Sequence, residues 1–292
     1  MRISLNVTNY SWPSGAGDIA DHLDRVARIA DAGGLDTVWV SDHLLQAEPG
    51  TNPEQEMLEA YVTLGFIAAR TRRVRLGTMV TAATFRPPAL LVKAVTTLDV
   101  LSGGRAWLGI GAGYLQSEAD AMGLPLPPTA ERFEHLTDTL RLAHQMWAGD
   151  DSAFVGAHHR LDRPVNRPNS LRRPHPPILV GGTGERKTLR LVAEYADACN
   201  VFDIPDGGAT IRRKLGVLAK HCDAIGRAYD DVEKSVSTRL GPDESPEAFA
   251  HRCSTLAELG IDQVIVLTSG AWTGEAVERL AAAVPAVAPL GR

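Results

Sequence analysis

β-strand and α-helix signals alternate along this chain eight times, from one end to the other. Residues 2–8 alternate apolar and polar as a strand does; residues 18–32 then place Ile19, Leu23, Val26 and Ala30 on one helical face, and Gly33-Gly34 stops the helix. Further strands are expected over 37–40, 74–80, 106–110, 178–180, 198–202, 235–239 and 263–267. Helices are expected up to Arg70, over 87–101, through Phe133, Leu136, Leu140, Ala143 and Trp147, over 185–195, through Ile211, Leu215, Leu218, Cys222 and Ile225, over 246–259 and over 274–284. Such alternation implies a parallel sheet covered by helices. Eight repeats favour a closed (β/α)8 TIM barrel over an open doubly wound sheet, and 292 residues suit one barrel domain spanning 1–292.

Residues 149–177 break the rhythm, being too long for an ordinary helix-to-strand connection. Residues 152–155 and 159–162 suggest an inserted hairpin around Gly156-Ala157, and Pro164, Pro168, Pro174, Pro176 and Pro177 an extended run after it. A connection of this type leaves from the bottom of a barrel, away from the usual site, so a structural or interface role is expected.

Composition narrows the function. The net charge of −5 gives no sign of a nucleic-acid surface, and the arginine-rich run at 70–75 reads as a solvated patch. Cys199, Cys222 and Cys253 show no metal or CxxC spacing, which fits reduced thiols in a cytoplasmic protein. No apolar run is long enough to cross a membrane, and the chain starts with a strand rather than a signal segment. The expected partner is a small-molecule substrate, with neither nucleic acid nor membrane involved. His135, His144, His158, His159 and His175 show no defensible metal spacing, so no metal site is expected.

A barrel enzyme carries its chemistry at the C-terminal ends of its strands. Ser41-Asp42-His43 ends the second strand, and side-chain alternation lets only one of Asp42 and His43 point over the mouth unless the chain bends there. His43 is the candidate proton donor or acceptor, with Asp42 orienting it or holding a cofactor. Thr78, Met79 and Val80 end the third strand, either as a plain strand end or as a bed for a flat ring. The run from Gly109 to Tyr114 fails as a dinucleotide fingerprint; Gly111, Ala112, Gly113 and Tyr114 read instead as a strand end that a ligand can approach. Gly181, Gly182, Thr183 and Gly184 lie between a strand and a helix N-terminus, an anion-binding context to which Lys187 could add a cation.

In order, Ser41-Asp42-His43, the 77–87 run with Thr84-Phe85-Arg86, Ser102-Gly103-Gly104-Arg105, the 109–114 run, Glu118, Arg132, Pro176-Pro177-Ile178 leading to Gly181-Gly182-Thr183-Gly184, and Tyr195-Ala196-Asp197 resemble the luciferase-like flavin and deazaflavin oxidoreductases. The resemblance covers nearly the whole chain and is strongest to members that use coenzyme F420. It implies a deazaflavin ring over the strand ends, a non-proline cis peptide at Met79–Val80 or one bond earlier, a phosphate held by the glycine loops, and hydride transfer to or from an unidentified organic substrate. An FMN-dependent monooxygenase is the alternative, and a homodimer is a family expectation. Sugar-phosphate dehydrogenases of the superfamily carry Glu directly after the fourth-strand glycines. This chain has Tyr114 there, which speaks against a sugar-phosphate substrate.

Overall fold

The structure, a computed structural model, describes residues 1–48 and 50–290. Its strands are β1 (Arg2–Val7), β2 (Thr37–Val40), β3 (Arg75–Thr78), β4 (Thr81–Ala82), β5 (Leu108–Gly111), β6 (Phe154–Val155), β7 (Arg160–Leu161), β8 (Ile178–Val180), β9 (Ala198–Phe202), β10 (Glu233–Arg239) and β11 (Gln263–Leu267). Its helices are α1 (Ile19–Ala32), α2 (Ala60–Arg70), α3 (Pro88–Ser102), α4 (Gln116–Met122), α5 (Thr129–Ala148), α6 (Thr188–Tyr195), α7 (Ala209–Ala224), α8 (Pro246–Glu258), α9 (Gly274–Ala282) and α10 (Val284–Val287).

Apart from the antiparallel β6–β7 hairpin, the strands form one sheet in the order β3-β2-β1-β11-β10-β9-β8-β5-β4. Every pairing in it is parallel. Its two edges, β3 and β4, are consecutive in the chain, and a bridge from Leu76 to Ala106 draws them into a nearly closed ring. This is the TIM barrel that the eightfold alternation predicts. The third strand, expected unbroken over 74–80, divides at a cis peptide between Met79 and Val80. Its first half pairs with β2 and its second with β5.

The barrel's interior is filled by side chains. Trp39 and Trp107 meet edge-on with centroids 5.6 Å apart, among Leu179, Ala198 and Ile265. A ligand therefore meets the barrel at its ends. Outside, α1 buries Ile19, Leu23, Val26, Ala27 and Ala30, the stripe its 3.6-residue period predicts. The Ser102-Gly103-Gly104-Arg105 turn belongs to the bottom face. Gly103 caps α3 in the left-handed region, and the Arg105 guanidinium donates to the carbonyls of Ala68, Thr71 and Val74.

The inserted segment is tied to two barrel helices by buried acids. Asp138 of α5 accepts from the amides of Ala157 and His158 at 3.0 and 2.9 Å, and Asp99 of α3 accepts from Leu171 and Arg172 at 2.7 and 3.0 Å. The hairpin tip thereby brings His158 and His159 beside His135, a proximity that sequence spacing hides. Cys199, Cys222 and Cys253 are buried free thiols, and desolvation pushes Cys199 up to about 12. Among the described residues, no helix is long and apolar enough to cross a membrane.

Candidate active site

His43 lies just past β2, and its Nδ1 is 2.8 Å from Glu118 Oε2. Glu118, in the first turn of α4, is 1% exposed, and its second oxygen accepts from the amides of Leu44 and Leu45 at 2.6 and 3.2 Å. Burial alone would raise this carboxyl, but the His43 bond and charge and the two amides outweigh it, so it sits below its usual value. An ionised Glu118 keeps a proton on His43 Nδ1 and leaves Nε2 as the reactive nitrogen. Nε2 is 3.5 Å from the Tyr114 hydroxyl, and the two rings meet edge-on at 5.8 Å. Desolvation, then the Glu118 charge, push the Tyr114 phenol above its usual value, so it stays a donor.

Asp42 is not the partner of His43. Both its oxygens are taken by Arg86, at 2.5 and 3.0 Å, and Arg86 also reaches Glu59 Oε1 at 2.6 Å and lies over the Tyr61 ring. The orienting role expected of Asp42 falls to Glu118, because the two neighbouring side chains leave the strand end in different directions. Asp42 instead ties the end of β2 to the loop entering α3. A second polar chain lies behind it. The Tyr61 hydroxyl meets Thr81 Oγ1 at 2.8 Å, Thr81 meets Thr78 Oγ1 at 3.0 Å, and Thr78 donates to the Gly109 carbonyl at 2.7 Å. Thr78 is wholly buried, so its hydroxyl serves the barrel wall rather than the mouth.

The strand-end glycines divide into two groups. A Cβ at Gly109 would lie 1.7 Å from the Thr78 carbonyl oxygen, and Cβ atoms at Gly111 and Gly181 would lie 3.0 and 2.8 Å from the Val80 side chain. Protein fills the space a side chain would take at these three positions, and the Gly181 N–H, read in the sequence as part of an anion site, donates to the Ile110 carbonyl at 2.8 Å. Met79 and Val80 are half-buried against the interior cluster. The second group is open. Among the described residues, no group accepts from the backbone N–H of Ala112, Gly113, Gly182, Thr183 or Gly184. These two loops follow β5 and β8, which are paired neighbours, so the bare amides lie on adjacent loops of the mouth. Thr84 Oγ1 and Arg132 Nε are buried nearby without partners, while Arg132 Nη1 donates to the Gly113 carbonyl at 2.5 Å. Lys187 is exposed, its ammonium 5.2 Å from the Phe133 ring centroid.

Two arginines, at the end of β10 and on α8, are matched. Arg239 meets Glu48 at 3.1 Å, and Arg252 meets Glu244 at 3.0 Å and Asp203 at 3.4 Å. Phe202 at the end of β9 and Ile204 beyond it are exposed apolar groups, as is Tyr114 after β5. Sequence reasoning names Glu118 and Arg86 only as pieces of a family pattern. Nothing local marks their partners, which lie 75 and 44 residues away. The acid in the first turn of α4 was the one available signal for Glu118.

The profile of the luciferase-like monooxygenase family matches residues 1–281, and the chain belongs to that family. It is 34% identical over 227 residues to the F420-dependent glucose-6-phosphate dehydrogenase of Kineococcus radiotolerans, covering 74% of this chain and 63% of that protein. The chain thus spans less than two thirds of that relative's length. With the enzyme of the same description from Amycolatopsis mediterranei it is 28% identical over 286 residues, 93% of this chain and 78% of the other. Among solved structures, the monooxygenase RslO1 from Streptomyces bottropensis superposes with a TM-score of 0.81 at 21% identity, covering 99% of each chain. An F420-dependent secondary alcohol dehydrogenase bound to an F420-acetone adduct gives 0.81 at 17% identity, covering 98% of each. At such identities these structures share the fold.

Proposed function

We propose that this chain is an F420-dependent oxidoreductase acting on an uncharged organic alcohol or the corresponding carbonyl compound. The observation that carries the reading is the Glu118–His43 pair, which leaves His43 Nε2 facing the mouth beside the Tyr114 hydroxyl. The residues present fit the cofactor. Five bare amides on two adjacent loops, with the unpartnered Thr84 Oγ1 and Arg132 Nε behind them, suit a phosphate tail. Half-buried Met79 and Val80 offer a flat apolar bed for the ring. When bound, the deazaflavin supplies two-electron hydride exchange at carbon.

The protein's share is the proton. In the alcohol-oxidising direction, His43 Nε2 takes the hydroxyl proton as the C–H bond gives up its hydride. In the reverse direction it returns that proton to the carbonyl oxygen. Ionised Glu118 stabilises the imidazolium that forms, and Tyr114 donates a hydrogen bond to the same oxygen. Exposed Phe202 and Ile204 offer apolar surface to the substrate's body.

The relatives' names specify a charged sugar. Here Arg239 and Arg252 are already paired with carboxylates, and an aromatic residue stands at 114, so an uncharged substrate with an apolar body is the better match. Titration with F420 and with FMN, followed by a panel of alcohols, ketones and glucose 6-phosphate, tests the reading. We expect F420 to be retained and oxidised or reduced with an uncharged substrate. His43→Ala should cut turnover about 10²–10⁴-fold with F420 affinity essentially unchanged. Preferential retention of FMN, or turnover confined to glucose 6-phosphate, would overturn it.

A further inference from the structure

The tip of the β6–β7 hairpin sits on α5 and gathers groups with no part in the mouth's chemistry. Ring nitrogens of His135 and His158 and a carboxylate oxygen of Glu131 all lie within 4.8 Å of one another. The two imidazoles stack at 4.3 Å with an interplanar angle of 18°. Glu131 and His135 are one helical turn apart on α5, with 3.7 Å between carboxylate and Nε2. Two further groups border the cluster. His159 Nε2 is 3.0 Å from His135 Nδ1, and Glu134 Oε2 is 2.8 Å from His158 Nε2.

We propose that Glu131, His135 and His158 form a binding site for a borderline divalent transition-metal ion, zinc above all. Imidazole and carboxylate together are the donor set such ions prefer over magnesium or calcium. With its proton on Nδ1, His135 donates to His159 Nε2, which fixes the His135 ring and leaves its Nε2, on the Glu131 side, to coordinate. Tetrahedral coordination at about 2.0–2.1 Å needs ligand atoms somewhat closer together than they lie here. The half-exposed Glu131 side chain and the exposed His158 at the hairpin tip can both shift to supply that contraction, and water the fourth position.

The hairpin is already held for this. Asp138, 3% exposed at its side chain, accepts the amides of Ala157 and His158, and a Cβ at Gly156 would lie 2.3 Å from its carboxylate. The turn therefore lies tight on α5 before any ion arrives, and the binding free energy is not spent on ordering it. Bound zinc would cross-link the inserted segment to the barrel.

The test uses the full chain without a histidine tag, stripped with chelator and titrated with zinc chloride by calorimetry or equilibrium dialysis. Wild type is expected to bind one ion per chain saturably and to melt at higher temperature with zinc present. His158→Ala, at the exposed tip, and His135→Ala should each weaken binding about tenfold or more, the range for disturbed metal shells, while His251→Ala on α8 leaves it unchanged. Cobalt in place of zinc in the wild type reads the site independently of any variant's folding, by a visible spectrum of tetrahedral nitrogen–oxygen coordination. Absence of saturable zinc binding by wild type, or binding kept by the His135→Ala/His158→Ala double variant, overturns the proposal. F420 affinity is followed in parallel. Failure here leaves the barrel-mouth reading untouched.

Discussion

Glu118 carries more consequence than its place in the sequence suggests. Both its oxygens are occupied, one by His43 Nδ1 and the other by two amides. In Glu118→Gln the carbonyl oxygen can keep the amides of Leu44 and Leu45, but an NH₂ then faces His43 Nδ1. That nitrogen must become an acceptor, which moves the proton to Nε2 and removes the base from the mouth. The expected result is turnover lowered about 10²–10⁴-fold with F420 affinity nearly unchanged, read by steady-state kinetics beside a binding titration. The pH dependence follows from the same group. Its carboxyl lies below 4.5 in the folded chain, so its contribution to stability is complete above the unfolded value of 4.5 and is lost as pH falls through the lower folded value. Urea midpoints of wild type and Glu118→Gln should differ at neutral pH and converge in acid. A gap that persists at low pH would show that the carboxylate's charge is not what stabilises.

Glycine means opposite things in different elements of this barrel. Gly109 lies inside β5, where a Cβ would meet the Thr78 carbonyl at 1.7 Å, so the wall must shift to admit it. Gly109→Ala should cost at the upper end of about 1–3 kcal/mol or beyond. Gly65, on the exposed side of α2 with nothing within 4 Å, packs against nothing. Gly65→Ala should stabilise by about 0.5–1 kcal/mol. Denaturant midpoints of the pair, measured together, check both signs. The contrast also marks what the sequence could tell. Strand and helix positions were legible because their apolar spacing has a period, and the cis bond at Met79–Val80 followed from the family resemblance. The filling of Gly109, Gly111 and Gly181 was not legible. It depends on where Val80 and the Thr78 carbonyl point once the ring has closed, and no local period encodes that. The partners of His43 and Asp42 were hidden for the same reason, since each is reached only through the barrel's curvature.

At the scale of the whole molecule, the barrel separates two ends with different tasks. The bottom turns are fastened to themselves, as when the Arg105 guanidinium collects the carbonyls of Ala68, Thr71 and Val74. The mouth after β5 and β8 leaves main-chain donors without acceptors among the described residues. A packed interior of Trp39, Trp107 and their neighbours lies between the two ends. This asymmetry makes a forecast that requires no turnover. Without cofactor, the amides of Ala112, Gly113, Gly182, Thr183 and Gly184 should exchange with deuterium rapidly, having no acceptor among the described residues. With F420 at about 100 times its dissociation constant, their exchange should slow by up to about a hundredfold, the factor by which the free form is depleted. Amides of the bottom turns should keep their rates unless opening is global, in which case all would slow together. Slowing confined to the mouth loops places the anionic tail at the bare donors. Protection that appears with F420 at the bottom face alone would put the ligand at the wrong end of the barrel and take the proposed chemistry with it.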